Sequence, residues 1–81
     1  MEPDTMTYDI TVTDTFAGEL NYCWVRRYEL EAPADISTRA LVRRAKALAG
    51  IAGRHRLDDY GDSLSIWPRG ACVALLVTVR P

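Results

Sequence analysis

Three groups of residues in this 81-residue chain are of types that could do chemistry. Asp58-Asp59-Tyr60-Gly61-Asp62 gathers three carboxylates around a glycine, the composition that holds a hard cation such as calcium. It lacks the alternating Asp/Asn positions and the distal glutamate of a calcium loop, so it reads as a solvated turn, and no metal site is assigned. His55, the lone histidine, stands between Arg54 and Arg56, which would disfavour its protonation and poise it as a base. No serine or cysteine lies at a recognisable nucleophile spacing from it, so no catalytic residue is assigned and the chain reads as a non-enzyme without a cofactor. Cys23 and Cys72 have no C-x-x-C spacing and lie in apolar, strand-like stretches, which reads as two reduced core cysteines.

Two further sets suit binding. Arg39, Arg43, Arg44 and Lys46, supported by Arg54 and Arg56, would make a basic helix face able to track phosphates. No helix-turn-helix, zinc or aromatic RNA-binding signature accompanies them, so a solvated face, or one paired to acids of the same chain, is the plainer reading. Tyr22, Trp24, Tyr28 and Arg26 are of the types enriched at interface hot spots, and they are also ordinary core residues.

The elements that must carry these residues follow from periodicity. In Leu20 to Glu31 the even positions Leu20, Tyr22, Trp24, Arg26, Tyr28 and Leu30 share one face of a strand, with Arg26 the only polar interruption. The pattern predicts the central strand of a small sheet with its aromatics packed on a helix. Met6, Tyr8, Ile10 and Val12 alternate with threonines and Asp9 in a half-buried strand before it. Asp14 to Glu19 joins the two as a hairpin with a loop longer than the tightest turns, and Phe16 is expected to cap the core. Ala32-Pro33-Ala34 ends the second strand, Ser37 or Asp35 caps a helix over about Thr38 to Ala49, and Gly50 and Gly53 stand where its left-handed C-terminal cap is expected. Leu41, Ala45, Leu48 and Ala52, widened by Val42 and Ala49, form its apolar stripe. Ser63 to Trp67 and the doubly apolar Ala71 to Val79 follow as strands. The expected fold is α+β, β-β-α-β-β, an antiparallel sheet of four strands, or five if Arg54 to Leu57 forms another, with one helix on one face. The chain reads as a single small domain, with residues 1–4 as a flexible tail. A homodimer that covers the second sheet face is a further expectation.

Composition excludes several classes. With 48% hydrophobic and 26% charged residues the chain is not of a disordered type. No apolar run spans a bilayer as a helix and no secretory signal is visible, so a cytoplasmic protein with no membrane partner is expected. The net charge of −1 hides a segregation. Residues 1–35 hold eight acids against two arginines, whereas residues 36–57 hold six bases and no acid. An acidic hairpin and a basic helix therefore face different partners, or each other.

Thr13 to Glu29, T-D-T-F-A-G-E-L-N-Y-C-W-V-R-R-Y-E, resembles a group of small proteins of phages and other mobile elements that carry T-D-T-F/Y-G-G-E-x-N-Y-x-W-V-R/K-R openings. The later R-A-K-A-L-A-G-I-A-G-R and the apolar last strand are similar as well. Ala17 stands where that pattern has a glycine, which counts against a tight glycine-rich turn. Some proteins of this size and origin are anti-CRISPR proteins, which block a CRISPR effector without chemistry. The resemblance implies a non-enzymatic mobile-element protein that binds and inhibits a host protein complex. Its acidic hairpin residues Asp9, Asp14, Glu19, Glu29 and Glu31 would meet the basic channels in which such effectors hold nucleic acid, with Arg26 a further partner-binding residue. The alternative is a small nucleic-acid-binding regulator that uses Arg39, Arg43, Arg44 and Lys46.

Overall fold

The structure, a computed structural model, describes residues 4–80. The tail expected over residues 1–4 lies outside the described residues except for Asp4, whose carbonyl accepts a hydrogen bond from the Ala34 amide at 2.7 Å. Strands β1 (Thr5–Phe16) and β2 (Glu19–Pro33) precede helix α1 (Thr38–Ala49), and β3 (His55–Asp59), β4 (Ser63–Pro68) and β5 (Val73–Val79) follow it. All neighbours pair antiparallel in the order β2-β1-β5-β4-β3. This is the expected α+β fold with its optional fifth strand present.

The centre of the sheet is not where the aromatic density pointed. β2 is an edge strand, and the middle position belongs to β5. β5 is apolar on both faces: Leu75 and Val77 are buried under the helix, and on the opposite face Ala74 is buried and Leu76 half-buried between the neighbouring strands. Ile10, Val12, Leu64 and Ile66 complete the layer beneath Leu41, Val42 and Ala45 of α1.

A helix of 12 residues is roughly 18 Å long, whereas β2, with 15 residues, runs to roughly 50 Å. The molecule measures 47 × 23 × 22 Å, so the strand sets its long axis. α1 can cover only one end of it. Tyr28, Leu30 and Ala32 pack into the core, while Tyr22 and Trp24, expected there too, are 55% and 42% exposed.

Local chemistry sets the ends of α1. Ser37 accepts from the Ala40 amide at 3.1 Å, and Gly50, at φ 71°, closes the helix with Gly50 N–H to Ala47 O and Ile51 N–H to Lys46 O. The buried stripe is Leu41, Val42 and Ala45, flanked by Ala49; Leu48, expected within it, is exposed because the helix is rolled toward Val42, and Ala52, expected there too, is exposed beyond the Gly50 cap. Lys46 lies beside β3, so the basic stripe borders the sheet.

The hairpin loop is tighter than expected. Phe16 pairs with Glu19 across two residues only, Ala17 at φ 54° and Gly18 at φ 81°. Two positive φ angles give the strand twist a matched reversal, and an alanine carries one of them. Phe16 does not cap the core and is 74% exposed, since it stands beyond the last residue of β1 that pairs with β5, Asp14. Both cysteines are free and exposed, not in the core: Cys23 sits in an irregular segment of β2 and Cys72 in the connection before β5.

Candidate protein-binding surface

Beyond Asp14 the β1–β2 hairpin leaves β5, with the Thr15 amide making a last bond to the Cys72 carbonyl at 3.0 Å, and runs on as a two-stranded arm. Its register shifts there: Thr13 pairs with Val25 and Thr15 with Leu20, so Asp14 alone faces Asn21, Tyr22, Cys23 and Trp24. The Asp14 carboxylate replaces the missing ladder. One oxygen accepts from the Cys23 amide at 2.8 Å and the Trp24 amide at 3.4 Å, and the other from the Asn21 side chain at 2.7 Å. These bonds, that of Asn21 foremost, hold the Asp14 carboxyl below its ordinary pKa. Thr13, buried, donates to the Trp24 carbonyl at 3.0 Å. The bulge also reverses the face of the strand, since Leu20 opposes Thr15 on the side away from α1.

The bulge presents Tyr22, itself at φ 56°, and Trp24, with the Arg26 guanidinium 5.6 Å from the Trp24 ring centre. Phe16, Tyr22 and Trp24 are the exposed large apolar side chains of this arm, with Val25 exposed at its base and Glu19 at its tip.

The acidic residues read from the sequence therefore divide into two groups. Asp14 and Glu19 belong to the arm, and Asp14 is spent on holding it. Asp9, Glu29 and Glu31 lie on the sheet face away from α1, where Arg80 ion-pairs with Asp9 and with Glu29, the latter at 2.6 Å. Both carboxylates raise the Arg80 pKa further, the Asp9 bond most. Nothing local in the sequence marks Arg80, because only the pairing of β1 with β5 carries it beside Asp9, 71 residues away.

The basic residues divide as well. Arg39, Arg43 and Lys46 line a groove of about 490 Å³ with Val42, Ala47, Ile51, Ala52 and His55, whereas Arg44 is not part of its lining. Lys46 donates to the Gly53 carbonyl and lies 3.1 Å from His55 Nδ1. Burial, and then the Lys46 charge, lower the His55 pKa, so the neutral ring accepts from the ammonium. The expected influence of Arg54 and Arg56 on His55 gives way to that of Lys46. Arg39, Arg43 and Arg44 make no ion pair among the described residues.

The carboxylate cluster at 58–62 is split by the strand. Asp58 lies in β3 and accepts from Trp67 Nε1 at 3.0 Å, with Arg56 5.0 Å over the same ring, while Asp59 accepts from the Gly61 amide at 2.9 Å. No group of three or more His, Cys, Asp or Glu comes together as metal ligands among the described residues. No helix among them is long and apolar enough to cross a membrane. Comparison of the chain with protein-family models, curated proteins and solved structures finds no match.

Proposed function

We propose that the chain is a non-enzymatic protein-binding module that docks the β1–β2 arm into a host protein complex and blocks it. The observation that carries this reading is the arm itself, where Phe16, Tyr22 and Trp24 stand exposed on a bulge that a dedicated carboxylate holds in shape. Exposed aromatics on a pre-organised segment bind with little entropic cost and are the types that dominate interface energetics. Glu19 beside them suits a basic surface, and the resemblance to mobile-element proteins makes a CRISPR effector the first partner to try.

The test is capture of effector subunits from host lysate by tagged protein, with and without nuclease. Capture that survives nuclease and weakens by about 30-fold or more in affinity with each of Tyr22→Ala and Trp24→Ala supports the reading. Unchanged capture by a Phe16→Ala, Tyr22→Ala, Trp24→Ala variant sinks it.

A second reading, nucleic-acid binding through the basic groove, draws on the unpaired guanidinium groups of Arg39 and Arg43. A salt series with single- and double-stranded DNA separates the two. Binding whose salt slope falls in an Arg39→Glu, Arg43→Glu variant favours the groove, and no binding at low salt excludes it.

A further inference from the structure

The free edge of β2 has a charge order that fits a second copy of itself. β2 pairs with β1 on one side only, and between the bulge and Pro33 its ladder is regular from Val25 to Ala32. Arg27, Glu29 and Glu31 of this stretch lie on the face away from α1, and Tyr28 and Leu30 on the helix side. Long open edges are usually guarded by like charges, prolines or bulges. Here the bulge and the proline bound the edge, and the charges between them have opposite signs.

We propose that two copies join β2 to β2 antiparallel about a two-fold axis at Tyr28, forming one ten-stranded sheet with both helices on the same side. An axis perpendicular to the sheet preserves faces, so residues at equal distances either side of the centre oppose each other. With Tyr28 at the centre, Arg27 of each copy faces Glu29 of the other, twice, and the two Tyr28 rings meet on the helix side. Centring on Arg26, Arg27 or Glu29 sets a like charge against itself, and centring on Leu30 sets Glu29 against Glu31. Among these centres Tyr28 alone leaves no like charges directly opposed. Glu29 already takes Arg80, which also takes Asp9, so the incoming Arg27 completes a row of four groups alternating in sign. The arms then project from opposite ends of the joined sheet, and the association is independent of what they bind.

The experiment is sedimentation of the isolated protein over a concentration series, followed by complementation of charge. Wild type is expected at twice the mass of the 81-residue chain. Arg27→Glu opposes carboxylate to carboxylate and Glu29→Lys opposes cation to cation, so each alone dissociates about tenfold or more readily. An equimolar mixture of the two restores the dimer, because each unlike pair is remade. Circular dichroism checks that both variants keep the sheet, and hydrogen exchange on wild type needs no variant: outward amides of Val25 to Ala32 gain protection as concentration rises. A wild type that stays monomeric to about millimolar concentration, a dimer indifferent to both substitutions, or variants that do not associate on mixing would overturn the proposal.

Discussion

The Asp14 carboxylate accepts from the Asn21 side-chain amide at 2.7 Å, and the same group holds the main-chain amides of Cys23 and Trp24. One side chain thereby does the work of a strand segment. Asp14→Ala is expected to release the bulge while leaving the helix-covered core intact. Amide exchange at Cys23 and Trp24 should rise sharply, with that at Ile10 and Leu75 unchanged, and partner affinity should fall with the loss of the Tyr22 and Trp24 arrangement. Equal exchange throughout the chain would refute this assignment.

The Ala17 backbone at φ 54° is strained for an L-residue, at a cost of about 1–2 kcal/mol that asparagine tolerates better. Ala17→Asn should therefore stabilise the protein by about 0.5–1 kcal/mol, a rise in Tm of about 2–8 °C. Thermal unfolding followed by far-UV circular dichroism reads it, and an unchanged or lowered Tm would remove the strain argument.

The His55 pKa is lowered from 6.5 in the folded protein, first by burial and then by Lys46. The unfolded chain thus binds the proton more readily, and this contribution to stability is full above pH 6.5 and is lost as pH falls through the folded pKa. His55→Gln should flatten the decline in urea midpoint between pH 7.5 and 5.5. The Asp14 contribution is lost only as pH falls below 3.8 toward its lowered folded pKa, so the two windows separate.

Ser37 supplies the side-chain acceptor of the helix N-terminus, and its loss in Ser37→Ala should cost about 1 kcal/mol. Ser37→Asp should retain most of the stability, since a carboxylate accepts from the same amide and favours the positive end of the helix. Chemical denaturation of both variants checks the order.

Leu75→Ala, at the centre of the sheet beneath α1, should cost about 3–5 kcal/mol through lost burial and an unfilled cavity. Leu48→Ala on the exposed flank of the helix should cost less than about 1 kcal/mol. Comparable losses at the two sites would contradict the observed roll of the helix.

The elements were legible because their signals are local. Ser37, Gly50 and Pro33 mark boundaries by chemistry that needs no tertiary contact, and α1 begins and ends where they predict. The order of strands was not, because it depends on long-range pairing. Tyr22 and Trp24 resemble core residues in isolation, and the shortness of α1 against β2 together with the bulge opposite Asp14 leaves them outside. The better signal for the sheet centre was the doubly apolar run Ala74 to Val77, which no edge strand could afford. The Asp14 bulge had no periodic signature, since four residues opposing one shift the alternation without interrupting it visibly.

β5 is the last of the five strands in chain order, yet it is the one that joins the β1–β2 hairpin to the β3–β4 hairpin. Each hairpin can form early from neighbouring residues, but during synthesis neither half of the sheet has its inner edge covered until β5 emerges. Until then Ile10 and Val12 on one side and Leu64 and Ile66 on the other wait for their shared neighbour. The nascent chain therefore carries two open inner edges at once, and the interval before β5 arrives is when it is most exposed to misassociation and to proteases.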